Sequence, residues 1–293
     1  MDYFCPLEME VKKYIDVEKV LKTKAKTLYR LLPRFAINWL KRKLHEDDIN
    51  QGMLYLEKFH ELEFNTEVVK FLNVKLEVTG IENLPKTGGI IIASNHPLGG
   101  LDGMALIKAI GDQRSDVRFI VNDILKNIKN YGDVFVGVNK VGGQSRNSLQ
   151  FVEQVYATEA AILIFPAGLV SRKFPEGIRD LAWNKSFINK SIKYNKPIVP
   201  VFIEGENSKF FYNFSKWRKR LGIKANLEML FLPDEMFKQR GNTIKIHFGK
   251  IIEPSLFYTT HTPQVWTNIM HDYIYTDAIR KGISFRDYAR DLK

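Results

Sequence analysis

From about residue 71 onward, short apolar segments alternate with segments of helical character, and no other feature restricts the fold as strongly. The apolar segments are rich in β-branched residues, which is typical of strands buried on both faces. We predict strands at residues 75–78, 89–93, 117–121, 134–138, 160–165, 197–203 and 243–248. We predict helices at residues 103–110, 148–158, 184–194 and 209–221, and again from Pro263 onward. The alternation predicts an α/β fold with a mixed, mainly parallel central sheet flanked by helices.

Residues 1–70 form a predicted N-terminal helical segment, and residues 71–293 form the α/β domain with C-terminal helices. The segment carries an apolar stripe at helical spacing, made of Val17, Val20, Leu21, Leu28, Leu31 and Leu32. Pro33 is expected to end or kink this helix, and Asp47 or Asp48 to cap a third one. The first 44 residues hold 11 Lys and Arg against 5 Asp and Glu. This suits an amphipathic anchor on a membrane surface, and equally a hairpin packed on the domain with its lysines in solvent.

The second predicted strand runs directly into a turn that carries His96 and Asp102. A helix follows the turn. The end of the strand, the turn and the start of the helix therefore meet at the place where α/β folds usually bind ligands. His96 is a candidate general base because imidazole titrates near neutral pH, and Asp102 is a candidate acceptor for its second N–H. The supporting residues of the turn are Asn95, Gly99 and Gly100. Considered alone, such a pair is more often a helix cap or a surface pair than a catalytic one.

Two further loops combine glycines with polar side chains. The loop after the fifth predicted strand contains Gly168, Ser171 and Arg172, and the loop after the fourth contains Lys140 and Arg146. Glycine permits close backbone approach, and the cations suit a phosphate or carboxylate group. Neither loop has the spacing of a Walker A motif. Each loop alone is equally compatible with an ordinary solvated connection.

The chain carries a net charge of +11, which favours anionic partners such as phospholipid headgroups, acidic carrier proteins or nucleic acid. No nucleic-acid-binding module is recognisable, so nucleic acid is not an expected partner. The single cysteine, Cys5, allows no internal disulfide, as expected in a reducing compartment. No signal peptide is visible, and no apolar run approaches about 18 residues. We therefore expect a cytoplasmic protein that is peripheral on the inner face of the cell membrane.

Covalent and metal-dependent chemistry have little support in the sequence. There is no G-x-S-x-G elbow, and Cys5 lies far from the other motifs. The six histidines include no short ligand cluster, so no metal site is expected. His247 alternates with apolar residues in a strand pattern and is predicted to be structural.

The order of these motifs resembles the glycerolipid and lysophospholipid acyltransferase family over roughly residues 74–250. The four blocks are the Asn95-His96-Pro97 turn ending in Asp102, the basic glycine loop, the strand ending Phe165-Pro166-x-Gly168, and Val199-Pro200-Val201. Pro200 itself predicts a bulge or a strand end. Residues 165–172, 221–226 and 232–237 resemble the hemolysin-like branch, which includes acyltransferases that O-acylate lyso-ornithine or lyso-glycine lipids. The resemblance implies roles in acceptor headgroup binding for Lys140, Arg146, Gly168, Ser171 and Arg172.

Two positions depart from the family pattern. Five residues separate His96 from Asp102, whereas the family usually has four, so the turn is one residue longer. In the third block, Ala167 follows Pro166 where the family commonly has Glu, and Arg172 lies four residues beyond Gly168 instead of two. A changed headgroup block favours a lyso-lipid acceptor other than glycerol 3-phosphate or lysophosphatidate.

The expected function is acyl transfer from a thioester to the hydroxyl of a lyso-aminolipid or lysophospholipid, within lipid biosynthesis and phospholipid metabolism. His96 would act as general base, and N–H groups between Gly99 and Gly103 would bind the oxyanion. No resident cofactor is expected, and the co-substrate is acyl-CoA or acyl carrier protein. Three alternatives remain open at this point: a lysophosphatidate-type acyltransferase, a lysophospholipase-like hydrolase, and a non-catalytic basic protein that binds membranes.

Overall fold

The computed structural model of the chain describes residues 13–122, 125–138, 146–258 and 261–291. The chain divides into two compact units, the first ending at Glu57 and the second beginning at Lys58. No helix among the described residues is long and apolar enough to cross a bilayer.

The first unit consists of short helices. They are α1 (Val17–Lys24), α2 (Lys26–Leu31), α3 (Arg34–Lys43) and α4 (Glu46–Leu56). Pro33 is the N-cap residue of α3, so the predicted break at this proline is confirmed. The role of residues 1–70 as a membrane anchor stays a prediction.

The predicted cap of the third helix was wrong. Neither Asp47 nor Asp48 is the N-cap of α4, because the helix begins at Glu46 and is preceded by His45 in a left-handed conformation. Both aspartates lie in the first turn, where negative charge interacts favourably with the helix dipole. Glu46 is buried and its carboxylate accepts the Val17 N–H at 2.9 Å, so a long-range contact determines where this helix begins.

The second unit alternates strands and helices. Its strands are β1 (Lys75–Thr79), β2 (Ile90–Ser94), β3 (Val117–Asn122), β4 (Phe135–Val138), β5 (Ala161–Ile164), β6 (Arg172–Phe174), β7 (Gly177–Arg179), β8 (Ile198–Ile203) and β9 (Thr243–Phe248). Its helices are α5 (Glu61–Phe71), α6 (Gly100–Gly111), α7 (Arg146–Ala157), α8 (Ser186–Tyr194), α9 (Lys209–Arg220), α10 (Leu232–Lys238), α11 (Pro263–Tyr275), α12 (Asp277–Arg280) and α13 (Phe285–Arg290). Each strand and helix predicted from residue 71 onward is present, with ends that differ by at most three residues.

Seven strands form one sheet in the order β1-β9-β8-β2-β5-β3-β4. The five strands from β8 to β4 are mutually parallel, whereas β9 runs antiparallel to β8 and parallel to β1. All five residues of β2 are buried, as expected for a central strand covered by helices on both faces. The predicted α/β fold with a mixed, mainly parallel sheet and N-terminal helices is confirmed.

Strands β6 and β7 form a separate antiparallel hairpin that sequence analysis did not predict. Each strand has only three residues and contains an arginine, so neither shows the apolar pattern of a strand.

Pro200 lies inside β8, beside a bulge. β8 pairs regularly with β9 from Val201 onward, and Ile198 forms a bridge with Ile252. Three residues lie between Phe248 and Ile252, but only two lie between Ile198 and Val201. The extra residue is a β-bulge in the segment after β9, opposite Pro200. Pro200 itself is an interior residue of β8 that pairs with Ala93 of β2, so the predicted irregularity lies in the partner segment and not in the strand of the proline.

Candidate active site

The candidate site lies where three neighbouring parallel strands end. Strands β8, β2 and β5 are adjacent in the sheet, and their carboxyl ends lead into Glu204, Asn95 and Phe165. In open α/β sheets, ligands bind outside the carboxyl ends of the strands. The predicted His96–Asp102 turn therefore follows the middle strand of the three.

The structure brings His96 and Asp102 together. The Nδ1 atom of His96 lies 2.9 Å from Oδ2 of Asp102, in the first turn of α6. The same carboxylate oxygen accepts the Leu98 N–H at 2.8 Å, which closes the turn on itself. The His96 side chain is 16% exposed, whereas that of Asp102 is completely buried. The longer spacing is thus compatible with a direct histidine–carboxylate contact.

Gly99 makes the turn possible. Its φ of +76° is unfavourable for any residue with a Cβ, and a Cβ there would lie 3.0 Å from Cδ2 of Leu232. At Gly100, by contrast, a Cβ would meet nothing within 4 Å. Gly99 is therefore required by the backbone, while Gly100 leaves open space at the start of α6.

Burial dominates the electrostatics of Asp102. It raises the pKa of this carboxyl, and the hydrogen bond with His96 offsets the increase only in part. Its second oxygen, Oδ1, is buried without a hydrogen-bond partner among the described residues. The contact with His96 is thus the main interaction that favours the ionised form of this carboxyl.

The imidazole of His96 is held by packing as well as by Asp102. It stacks on Phe165 with ring centroids 4.2 Å apart and the planes tilted by 13°. Phe119 contacts the same phenylalanine edge to face. The other ring nitrogen, Nε2, has no hydrogen-bond partner within the described part of the chain. One nitrogen is thus oriented while the other is available to a substrate.

Asp180, which sequence analysis missed, anchors the backbone of this turn. Its Oδ1 accepts the His96 N–H at 3.1 Å and the Ser171 hydroxyl at 2.6 Å. Its Oδ2 accepts Nε1–H of Trp183 at 2.9 Å, and its own N–H donates to the hydroxyl of Tyr275 at 2.7 Å. The Ser171 N–H also donates to the His96 carbonyl at 2.8 Å. No local sequence signal marks Asp180, which lies 84 residues from His96.

Two asparagines join the turn to the end of β8. The amide of Asn95 donates to the Ile203 carbonyl at 2.9 Å and accepts the Ile203 N–H at 2.7 Å. Asn207 donates through Nδ2 to the Pro97 carbonyl at 3.0 Å, and its N–H donates to the hydroxyl of Tyr212. The supporting role predicted for Asn95 thus corresponds to a specific pair of hydrogen bonds.

The structure places the predicted headgroup residues in different surroundings. Gly168 turns the chain after β5 with a φ of +62°, and Ser171 binds Asp180. Arg172 is buried, and its Nη2 donates to Oε1 of Glu228 at 2.9 Å. Burial lowers the pKa of Arg172. Ser171 therefore joins the catalytic turn, whereas Arg172 points to a neighbouring buried ion cluster.

The second predicted binding loop is only partly visible. Lys140 lies outside the described residues, and Arg146 begins α7 with a side chain that also lies outside them. Their roles in headgroup binding stay predictions.

His247 is structural, as predicted. Its Nδ1 bonds to Oγ1 of Thr79 and its Nε2 to Glu204, each at 2.8 Å, so neither ring nitrogen is available. Within the described residues, no group of three or more His, Cys, Asp or Glu is placed to hold a metal ion.

Comparisons with known proteins give consistent matches. The family model for acyltransferases matches residues 19–260. A lyso-glycine lipid O-acyltransferase of Phocaeicola vulgatus is 42% identical over 262 residues, covering 89% of this chain and 94% of that protein. A protein of the same description from Bacteroides thetaiotaomicron is also 42% identical, covering 89% of this chain and 96% of its own. The crystal structure of the 1-acyl-sn-glycerophosphate (LPA) acyltransferase from Thermotoga maritima aligns with a TM-score of 0.47 and 18% identity, covering 91% of this chain and 90% of that one.

Proposed function

The chain belongs to the acyltransferase family, and from this premise we propose that it transfers a fatty acyl group from a thioester to the hydroxyl of a lyso-glycine lipid. The acceptor is supported by two relatives of that description, each 42% identical over 89% of this chain. The observation that carries the chemistry is the contact of 2.9 Å between His96 and the buried Asp102, at the carboxyl end of β2.

His96 is the general base of the proposed reaction. As the acceptor oxygen attacks the thioester carbonyl carbon, Nε2 takes the hydroxyl proton and the carbonyl π electrons move to its oxygen. When the tetrahedral intermediate collapses, the new C–O ester bond remains and the C–S bond breaks. The departing thiolate receives the proton from the imidazolium, so His96 returns to its neutral state. Transfer is direct and needs no acyl-enzyme.

Asp102 fixes the tautomer that this step needs. Its carboxylate accepts Nδ1–H, which leaves the lone pair of Nε2 available to the acceptor hydroxyl. When His96 becomes positively charged, the buried carboxylate lies in direct contact with the imidazolium and lowers the energy of that state.

The oxyanion is stabilised by the start of α6. A helix N-terminus carries partial positive charge and N–H groups that have no partner within the helix. The Leu98 N–H donates to Asp102 and the Asp102 N–H to the Gly99 carbonyl, so the N–H groups of Gly99, Gly100 and Leu101 are the proposed donors. This narrows the region from Gly99 to Gly103 that was predicted from the sequence.

Headgroup recognition is proposed for the loop from Gly168 to Ser171, with Lys140 and Arg146, while the buried Arg172 anchors this loop through Glu228 instead of contacting the headgroup. Ser171 supports this role because Asp180 joins it to the catalytic turn. The altered third block, with Ala167 after Pro166, favours a lyso-aminolipid over lysophosphatidate. The proposed donor is acyl-CoA or acyl carrier protein, both of which suit a chain with a net charge of +11. We place the enzyme on the inner face of the cell membrane, where such acceptors reside.

The test is an acyl-transfer assay with labelled acyl-CoA and acyl carrier protein thioesters. The acceptors are lyso-glycine lipid, lyso-ornithine lipid and lysophosphatidate, compared with the donor alone. We expect labelled glycine lipid from the wild-type protein and no product from His96→Ala. The control is His261→Ala, which removes an imidazole that contacts Trp266 outside the site.

Other products would contradict the proposal in distinct ways. Free fatty acid as the only product would indicate a hydrolase, and preference for lysophosphatidate would indicate the alternative acceptor. Full activity of His96→Ala would refute the mechanism.

A further inference from the structure

Helix α9 exposes large apolar side chains on one face. Phe210, Phe214, Trp217 and Leu221 follow each other at intervals of four, three and four residues, which places them on a single helix face. Trp217 and Leu221 are each 56% exposed. The short 3₁₀ segment Leu227–Phe231 packs on this face through Phe231, and its Leu230 is 55% exposed. We call these five residues the aromatic surface.

The aromatic surface is ordered by ring contacts. Phe214 lies between Phe210 and Trp217, with centroid distances of 5.8 and 6.0 Å. Phe210 and Phe214 also pack edge to face on Phe231, which joins α9 to the 3₁₀ segment. The exposed rings therefore form one continuous patch with a defined shape.

Cations without acidic partners lie beside this patch. They are Lys209, Lys216 and Arg220, which follow each other at intervals of seven and four residues along one stripe of α9. None of them has an ion pair within the described residues. The nearby acid, Glu228, is completely buried and is neutralised by Arg172 and Arg218. The outer face of α9 is thus both apolar and strongly positive.

We propose that the aromatic surface docks the enzyme on an anionic lipid bilayer. Tryptophan and phenylalanine between lysines on an amphipathic helix are the features of a helix that lies in the membrane interface. A second copy is disfavoured, because a symmetric interface would bring the same cations against each other. An acidic carrier protein would match the charge of this face, but its charge would not account for the large exposed apolar rings.

The opposite face of α9 connects to the catalytic turn. Phe211, Tyr212 and Ser215 are buried there. The Tyr212 hydroxyl accepts the Asn207 N–H at 2.9 Å, and the Asn207 side chain bonds to the Pro97 carbonyl beside His96. One helix therefore separates the docking surface from the turn that receives a lipid acceptor. This inference rests on the proposed location at a membrane, and it adds a docking site outside the N-terminal helices.

Tryptophan fluorescence tests the proposal directly. Trp183 and Trp266 are buried, while Trp39 and Trp217 are exposed. In Trp39→Phe, Trp217 is therefore the one exposed tryptophan of the chain. Adding vesicles of phosphatidylglycerol and phosphatidylcholine is expected to shift its emission to the blue, and brominated acyl chains are expected to quench it. Unchanged emission while the protein co-sediments with the vesicles would overturn the proposal.

Charge variants give an independent measurement. Each interfacial lysine contributes a factor of about five to binding of anionic membranes. Lys209→Gln/Lys216→Gln should thus weaken vesicle partitioning by about 25-fold, whereas Lys250→Gln, which removes an exposed lysine outside α9, should not. Equal partitioning of the two variants, or binding of acyl carrier protein but not of vesicles, would refute the assignment.

Acyl transfer in neutral detergent micelles separates this proposal from the enzymatic one. The double lysine variant should retain wild-type turnover in micelles and lose it on vesicles. Loss of turnover in both would place these lysines in donor or acceptor binding and would contradict a docking role. Absence of turnover in the wild-type protein, with normal vesicle binding, would refute the proposed activity and leave the docking surface intact.

Discussion

Asp102→Asn separates catalysis from folding at a single buried position. The substitution preserves size. Because Nδ1 of His96 and the Leu98 N–H both meet Oδ2, the asparagine carbonyl takes that position, and its NH2 group takes the position of Oδ1, which has no partner among the described residues. The hydrogen bonds are kept, but the negative charge beside the imidazolium is lost. A unit charge about 4 Å away at an effective dielectric constant of about 20 is worth about 4 kcal/mol, or about 10³-fold in kcat. We expect a loss of that size with little change in KM.

The same substitution is expected to leave the folded state as stable or to stabilise it. Burial raises the pKa of Asp102, so the folded protein binds this proton more tightly than the unfolded chain. The stability that this group contributes is fully present below its unfolded pKa of about 4 and is lost as pH rises through the folded value. Asparagine does not titrate. The free energy of unfolding of Asp102→Asn, relative to that of the wild type, should therefore increase as pH rises from about 4.

Two measurements decide the matter: steady-state acyl transfer and urea unfolding across pH. Asp112→Asn is the matched control, because Asp112 is the exposed C-cap residue of the same helix and pairs with Lys108. It should change stability by no more than about 0.5 kcal/mol and leave kcat unchanged. Retention of more than a tenth of kcat in Asp102→Asn would refute the electrostatic role of the Asp102 carboxylate. Equal losses of kcat and of folded protein would show that Asp102 is structural.

Three further substitutions test the architecture of the site, each by urea unfolding. Gly99→Ala should lower the free energy of unfolding by about 1–3 kcal/mol, because the residue has a φ of +76° and its Cβ would press on Leu232. Gly100→Ala should change the free energy of unfolding by no more than about 0.5 kcal/mol. Equal effects of the two substitutions would contradict the requirement for glycine at position 99. Asp180→Ala should lower the free energy of unfolding by about 2–5 kcal/mol and also reduce kcat, since the Ser171 hydroxyl, the Trp183 indole and the His96 N–H lose their acceptor. An unchanged kcat would show that Asp180 does not support the catalytic turn. Arg172→Met should cost about 3 kcal/mol, the lower end for a broken buried pair, because Arg218 still neutralises Glu228; a neutral result would mean that Arg218 alone suffices.

The strand pattern made most of the fold predictable. Short β-branched runs such as Ile90–Ser94 are typical of buried strands and too short for helices, so the number and position of the strands follow from the sequence. The direction of β9 does not follow, because a strand has the same side-chain pattern whether it pairs parallel or antiparallel. The start of α6 was predicted at Gly103 instead of Gly100, since glycines have low helix propensity and hide the first turn.

The site was predictable only as far as it is local in sequence. His96 and Asp102 share one strand–turn–helix junction, so their proximity could be predicted before their geometry. Asp180 could not be found in this way, because its partners His96 and Tyr275 lie 84 and 95 residues away in the chain, and the strand before it belongs to a hairpin of three-residue strands. Arg172 has the residue type of a headgroup ligand, yet its burial against Glu228 depends on a segment 56 residues away.

The paired hydrogen bonds between Asn95 and Ile203 determine when the segment that leads to His96 becomes ordered. A side-chain amide here continues the ladder between β2 and β8 past the last residue of β2. The segment that leads to His96 is thereby immobilised when the sheet forms, so the entropy of ordering it is lost during folding and not during substrate binding. Hydrogen exchange at the Ile203 amide should accordingly require opening of the whole sheet. The lipid acceptor must then enter through motion of segments other than the His96 turn, which stays fixed.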